Sequence, residues 1–274
     1  MNIKDSHGFW KLLTLLEAAA EPKISKDLQP FSGVITDLYE CGIEVSTLVK
    51  PSMRQYLGVT GLFLKKFLND IRVVWILLSL GYTSQAACVA AAAMENALII
   101  YCVTSDYKRA EKLMKKGGSP WSVFELCRIR ASGYKWLKEE KKNKDDIDLE
   151  TASRGDYAVY QWICKFKHPH MASALHDAYS VSIEDTYGIM AAPDDRIEDL
   201  PNKVYILLIM IMQGYEAVNS LVEVKAIDED NPNYVSWCKR FDSISDSITE
   251  LQKKYHGMKL PFDYMGRMRR KGSE

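Results

Sequence analysis

Apolar residues recur every three to four positions along most of the chain, and alternating strand-like runs are nearly absent. This spacing is typical of helices that bury one face in a core. It predicts helices over residues 9–20, 34–49, 53–80, 85–104, 108–116, 120–138, 157–168, 171–179, 204–224 and 232–255. We therefore predict an all-α fold, a single bundle of eight to ten helices without a sheet of three or more strands.

Prolines, glycines and hydroxyl side chains mark the predicted ends of these helices. Pro22 is predicted to end the first helix, and residues 81–84 to supply a break and an N-cap for the helix that follows. Gly117-Gly118 is predicted to end the short basic helix of residues 108–116. Ser119-Pro120 is typical of an N-cap followed by proline at the first helical position. Pro169 disfavours α conformation at the residue before it and so ends or kinks another helix.

The chain shows no internal repeat and no low-complexity tract, and its 274 residues suit one large domain. The charged stretch near 140–152 is the only plausible boundary, and we interpret it as a connector within one bundle. We predict a single helical domain over residues 1–274. In this interpretation the helices of residues 1–50 pack on a core of about 53–255, and residues 256–274 form a basic tail.

The overall charge is balanced, because Lys plus Arg and Asp plus Glu both total 36. The protein therefore has no net positive charge that would attract nucleic acid over its whole surface. Charged residues are instead grouped in local runs, basic at 135–144 and 267–271 and acidic at 145–150 and 194–199. Such runs are typical of solvated faces or chain ends.

The six cysteines are scattered, and no two have C-x-x-C spacing. Several lie in apolar helical patterns, which favours a reducing cytosol over a disulfide framework. The N-terminus lacks the apolar region of a signal peptide. The most apolar stretches, residues 73–80, 86–94 and 204–212, are each too short to span a bilayer. We expect buried helices, a cytoplasmic location and no membrane association.

The Ala-rich segment from residue 86 ends in a Glu-Asn pair inside an otherwise apolar helix. Burial of the Glu95 carboxylate costs several kcal/mol unless it meets a cation or hydrogen-bond donors, or is protonated. His168, Lys165 and Lys167 are the expected partners. The alternative is a structural ion pair elsewhere in the bundle.

Residues 157–170 carry the clearest candidate chemistry. One face of the predicted helix is polar and comprises Tyr157, Gln161, Cys164 or Lys165, and His168, whereas the other comprises Ala158, Trp162, Ile163 and Phe166. The polar stripe then ends at a corner with two imidazoles, His168 and His170, and two ammonium groups, Lys165 and Lys167. The alternative is an ordinary surface helix end, where cations are favoured by the helix dipole.

A zinc site is a further alternative, with ligands drawn from Cys164, His168, His170, His176 and Asp177. Such a site would straddle the proline corner, and no second pair of metal ligands is evident. Walker, dinucleotide-binding, zincin and EF-hand signatures are absent from the sequence. We therefore expect neither a metal nor a cofactor.

Residues 86–96 and 157–170 resemble the two signature segments of an uncharacterised group of bacterial all-helical proteins related to HEPN domains. In that group an Ala-rich helix carries a Glu-Asn pair, and a later helix that begins with Tyr ends in His-Pro. Many HEPN domains are metal-independent endoribonucleases of toxin–antitoxin and antiphage systems, with an arginine and a later histidine separated by four to six residues. Here Lys165 stands in place of that arginine, and Phe166 occupies a position that is often polar.

The resemblance implies a homodimeric endoribonuclease that acts on RNA in toxin or antiviral defence. His168, with His170 as second candidate, would transfer protons, and Lys165 and Lys167 would stabilise charge on the phosphate. The resemblance also implies orienting residues. Tyr157 and Gln161 would orient substrate or imidazole, Glu95 would hold a histidine tautomer, and Asn96 belongs to the same orienting group. The rival hypothesis is a non-catalytic interaction or sensor module, or an antitoxin-type partner of another protein.

Overall fold

The structure is a computed structural model that describes residues 6–54, 57–133, 147–168, 171–178, 182–183, 186–187 and 192–259. These residues form nine α-helices: α1 (Ser6–Leu48), α2 (Gly58–Ser79), α3 (Thr83–Thr104), α4 (Tyr107–Lys116), α5 (Val123–Ala131), α6 (Ile147–Lys167), α7 (Met171–Ala178), α8 (Leu200–Glu223) and α9 (Tyr234–Tyr255). Two 3-10 turns (Pro51–Met53 and Ile197–Asp199) and a hairpin of two-residue strands, β1 (Ser182–Ile183) and β2 (Thr186–Tyr187), complete the described elements. The all-α prediction is confirmed.

Helix α3 lies at the centre of the fold, in contact with α2, α5, α6 and α8. Its alanines at 86, 87, 90, 91 and 93 are all fully buried. Small side chains let neighbouring helices approach closely, and the bulkier residues 98–103 fill the wider half of the core. A helix that is apolar on nearly every side belongs in the interior, so the sequence of α3 places it there.

Two described helices are long and apolar enough to meet the criteria for a membrane span, Thr83–Thr104 and the stretch Ile197–Glu223. The apolar stretches at 86–94 and 204–212 are each too short to span a bilayer, but the whole helices that contain them meet these criteria. Within the fold, 78% and 61% of their most apolar windows are buried. Packing against the other helices thus covers most of this apolar surface.

The first helix does not end at Pro22, contrary to prediction. Helix α1 is continuous over 43 residues with Pro22 and Pro30 inside it. Ile24, Leu28 and Phe31 are buried across the same interval, so one apolar stripe continues past both prolines. An interior proline costs a helix ~3 kcal/mol. Here the stripe packs against α2, α8 and α9, and that burial outweighs the lost hydrogen bonds.

Two predicted N-caps were wrong, and both hydroxyl groups bond elsewhere. Helix α3 begins at Thr83, so Ser84 lies inside it, and Tyr82 precedes the first turn without a side-chain cap. Helix α5 begins at Val123 with a capping box made by Ser122 and Glu125, whereas Ser119 bonds the backbone of Trp121 in a turn. Helix α6 begins ten residues earlier than predicted.

Gly81 joins α2 to α3 and also makes room for the segment before α8. Its φ is +85°, in the left-handed region that glycine adopts without strain. Its carbonyl accepts a 2.9 Å hydrogen bond from the amide of Asp194. A Cβ at this position would lie 2.8 Å from that same amide nitrogen. The glycine therefore sets how closely residues 193–194 approach the start of α3.

Candidate functional site

The corner where α6 ends is tied to the body of the protein through its backbone. The amide of His168 donates to the Cys164 carbonyl at 2.9 Å, which closes the last turn. The hydroxyl of Ser173, on α7, donates to the Lys165 carbonyl at 2.8 Å. The predicted end of the helix before Pro169 is confirmed at Lys167. Pro169 and His170 lie outside the described residues.

The side chains of the corner divide into solvent-facing and buried groups. Lys167 and His168 are exposed, and Lys165 is half-buried. Cys164 is buried with Trp162 and Ile163, so its assignment to the polar face was wrong. Burial raises the pKa of the Cys164 thiol, although the Lys167 ammonium group lowers it in part. We name residues 165–168 the basic corner.

Tyr157 and Gln161, placed on the same polar stripe, are both half-buried. Tyr157 packs against the core, with its ring edge-on to Phe124 at 5.5 Å and stacked near Tyr160 at 6.1 Å. The predicted polar stripe therefore becomes apolar toward the start of the segment. The Tyr157 ring is accommodated at this position of the predicted polar stripe because Phe124 of α5 packs against it.

Glu95 receives its hydrogen bond from Tyr160, which the sequence analysis did not consider. The Tyr160 hydroxyl donates to Glu95 Oε1 at 2.6 Å and joins α6 to α3. Burial, together with this bond to a carboxylate, raises the pKa of Tyr160. The expected donor for Glu95 is therefore present, but it is not the imidazole of His168. The two signature segments do meet in the fold, one turn or more before the basic corner.

Asn96 faces away from α6 and serves the packing of α2 on α3. Its side-chain amide is buried and donates to Asp70 Oδ2 at 2.9 Å. Burial raises the pKa of the Asp70 carboxyl, and the Asn96 hydrogen bond partly offsets that effect. Asn96, which was grouped with the substrate-orienting residues, thus forms an interhelical hydrogen bond between α3 and α2.

A buried polar network behind the basic corner was missed by the sequence analysis. At its centre the Asp199 carboxylate, 0% exposed, accepts from the Thr83 hydroxyl and the Lys203 ammonium group. Its other oxygen lies 2.9 Å from His176 Nε2 and 2.8 Å from Asn202 Nδ2. Burial raises the pKa of Asp199, but the hydrogen bonds and the Lys203 charge outweigh it and hold that pKa at about 2.

The second half of this network is the pair formed by Asp194 and Arg196. The guanidinium of Arg196 binds both carboxylate oxygens of Asp194, at 2.8 and 2.5 Å, and also donates to the His176 carbonyl at 2.7 Å. The Asp194 carbonyl in turn accepts from Lys203 Nζ at 2.8 Å. The acidic run 194–199 was predicted to be solvated, and for Asp194 and Asp199 this was wrong. Their pairing with cations compensates the burial.

The network attaches α7, the helix that follows the basic corner in the chain, to α3 and α8. Besides His176, α7 contributes Asp177, whose carboxylate accepts from the Ser84 hydroxyl of α3 at 2.8 Å. The hydroxyl groups of Thr83 and Ser84, in the segment predicted to cap α3, thus bond to the network and to α7 instead. The attachment therefore combines the half-buried His176–Asp199 contact with the exposed Ser84–Asp177 hydrogen bond.

A metal ion does not suit this network as it stands. His176, Asp194 and Asp199 each offer a ligand atom, and the three atoms lie within 4.8 Å of one another. However, Lys203 and Arg196 already neutralise the two carboxylates through direct contacts. An added cation would have to displace both. Of the residues named as zinc ligands, His176 alone belongs to this described cluster.

A cavity of about 790 Å³ lies beside α6, on a different side from the basic corner. Residues of α5, α6, α8 and the end of α9 line it, and most of the lining surface is apolar. At its base, Arg130 forms an ion pair with Asp156 at 2.6 Å and donates to Gln213. Arg130 is thereby neutralised although it is buried.

Comparisons with protein-family models, curated proteins and solved structures found no match to this chain.

Proposed function

We propose that the chain is a metal-independent endoribonuclease of HEPN-like type, acting in toxin or antiphage defence, with the basic corner as its active surface. The observation that carries the proposal is an exposed imidazole, His168, next to the exposed ammonium group of Lys167 on a corner whose backbone is held by two hydrogen bonds. Precise placement of a proton-transfer group is what such catalysis requires.

RNA supplies its own nucleophile, the 2′-hydroxyl, so the protein needs to move protons and stabilise the phosphate. An imidazole titrates near neutral pH and can therefore transfer the protons. Lys165 and Lys167 can stabilise the phosphate as point charges, without the two-pronged geometry of arginine. In the described structure Tyr160 holds Glu95, so Glu95 supports the α3–α6 contact from which the corner extends.

The reaction needs one group to accept the proton from the 2′-hydroxyl and another to protonate the leaving 5′-oxygen. In the described part of the corner, His168 is the one imidazole exposed to solvent. The second group in this proposal is His170 or the His168 of a second copy. A homodimer that joins two corners would supply that second imidazole, as the family resemblance implies.

The test is RNA cleavage by purified variants that keep the fold. His168→Ala is expected to lose cleavage, because the imidazole transfers a proton, whereas His256→Ala removes another exposed imidazole at a helix end and should cleave normally. Lys167→Ala should weaken RNA binding and lower the salt slope by about one, since one phosphate contact is lost. Lys116→Ala, at the end of α4, is its control. Equal cleavage by His168→Ala and wild type would refute the assignment.

The second candidate is a non-catalytic sensor module, and the cavity beside α6 favours it. A cleft of this volume with a mostly apolar lining is the usual form of a small-molecule site. In this alternative the basic corner is a structural helix end. Saturable ligand binding by protein that cleaves no RNA would support the sensor over the nuclease.

A further inference from the structure

The lining of the cavity beside α6 includes three aromatic residues and one carboxylate without a partner among the described residues. Trp162 and Tyr205 lie with their ring centroids 6.2 Å apart, and Tyr255 lines the cavity from the end of α9. Glu216 lines it from α8. Aromatic rings offer stacking and edge contacts to the flat, apolar part of a ligand.

The charges of the lining leave a negative excess. Arg130 and Asp156 neutralise each other through two contacts, Nη2 to Oδ1 at 2.6 Å and Nε to Oδ2 at 3.2 Å. Glu216 has no hydrogen bond or ion pair among the described residues. Its pKa is raised, chiefly by burial, which Arg130 only partly offsets. A half-buried carboxylate without a partner is costly, and a cation in the cavity would relieve that cost.

We propose that this cavity binds a small molecule with an aromatic or otherwise apolar body and a protonated amine. The body fills the apolar volume between α6, α8 and α9, and the ammonium group pairs with Glu216, which lies on α8 about three turns, ~16 Å, from Tyr205. The volume of about 790 Å³ lies within the range of small-molecule sites, roughly 300–1,000 Å³. The site is independent of the RNA proposal and gives the sensor alternative its class of ligand.

Three naphthalene probes with substituents of different charge test the preference: 1-naphthylmethylamine is a cation, 1-naphthalenemethanol is neutral, and 1-naphthaleneacetate (the carboxylate of 1-naphthylacetic acid) is an anion. Isothermal titration at neutral pH, without RNA, should show saturable one-to-one binding of the amine. We expect the amine to bind about tenfold more tightly than the alcohol, the equivalent of ~1.4 kcal/mol, and the acetate to bind weakest. Affinity for the amine should fall as acid protonates Glu216.

Glu216→Gln keeps the shape of the side chain but removes its charge, and it should abolish the tenfold preference while alcohol binding persists. Glu223→Gln is the matched control, because Glu223 is an exposed carboxylate two turns further along α8 and does not line the cavity. Val159→Trp places a large ring at an exposed lining position and should weaken all three probes. Circular dichroism checks that each variant folds.

Three results would overturn the proposal. The first is the absence of saturable amine binding to the wild-type protein. The second is equal affinity for the amine and the alcohol, or an amine preference that survives Glu216→Gln. The third is binding that Val159→Trp does not change, which would place the probe elsewhere.

Discussion

Removal of the Asp199 charge tests whether the buried network is a paired and stabilising unit. Asp199→Asn keeps the shape of the side chain, but it leaves the Lys203 ammonium group, 2% exposed, without its negatively charged partner and with neutral oxygen acceptors such as the Asp194 carbonyl. Loss of one partner from a buried ion pair costs about 3–5 kcal/mol, because the other charge stays buried without compensation. We expect a loss of unfolding free energy in that range.

The same contacts give a pH dependence whose sign can be worked out. Folding lowers the pKa of Asp199 from 3.8 to about 2, so the ionised carboxylate stabilises the folded state by ~2–3 kcal/mol above pH 4. This stabilisation is lost as pH falls from about 4 toward 2. Asp199→Asn lacks it at every pH, so the stability gap between variant and wild type should narrow in acid.

The assay is urea unfolding followed by far-UV circular dichroism, at several pH values between 7 and 3. A double-mutant cycle adds Lys203→Met and the double variant. Because the double variant leaves neither charge buried, it should be less destabilised than the sum of the two single changes, by about 1–3 kcal/mol. A cost below about 1 kcal/mol for Asp199→Asn, additive effects, or a gap that stays constant in acid would refute this reasoning.

Three further predictions concern packing and capping, each measured as a change in unfolding free energy. Gly214→Ala should cost ~1–3 kcal/mol, since its Cβ would lie 2.7 Å from Leu38 Cδ2, whereas Gly61→Ala meets no atom within 4 Å and should stabilise α2 by up to ~1 kcal/mol. Equal effects at the two glycines would contradict the close approach of α8 to α1. Ser122→Ala should cost ~1 kcal/mol through the lost capping box of α5, and a neutral result would remove that cap. Tyr160→Phe should cost ~1–2 kcal/mol, because it removes the hydrogen bond donated to a half-buried carboxylate, and unchanged stability would argue against that bond.

The helical architecture was predictable because periodicity reports burial directly. The three-to-four spacing identified every described helix except the proline-containing middle of α1. There the local rule that proline ends a helix conflicted with tertiary packing. Leu28 and Phe31 are each 0% exposed, so their burial keeps the helix intact through both prolines. A stripe that continues in phase across residues 24–38 was the available signal.

The buried network was less predictable, because it is assembled from three segments that are distant in the chain, residues 83–84, 176–177 and 194–203. Thr83 and His176 gave no sign of sharing a partner, and Asp199 resembled a solvated residue before a helix. Two local signals did exist. Arg196 interrupts the acidic run two residues after Asp194, and Lys203 follows Asp199 by four positions, the spacing of a helical ion pair.

The hydrogen bond from Tyr160 to Glu95 was also not predictable from the sequence. The sequence analysis asked which cation would meet Glu95, because a buried charge calls for compensation. A phenol can also satisfy a carboxylate, and nothing in local spacing distinguishes a hydroxyl that faces α3 from one that faces solvent. The cavity beside α6 was likewise outside the reach of periodicity, since it depends on how α6, α8 and α9 diverge.

The chemical ends of cleaved RNA test the central claim most directly. Purified wild-type protein is incubated with RNA and excess chelator, and the products are analysed by mass spectrometry beside those of His168→Ala. The account predicts fragments that end in 2′,3′-cyclic phosphate or its hydrolysed forms, unchanged by the chelator and absent with His168→Ala. Intact RNA in every sample, or cleavage that the chelator stops, would contradict it.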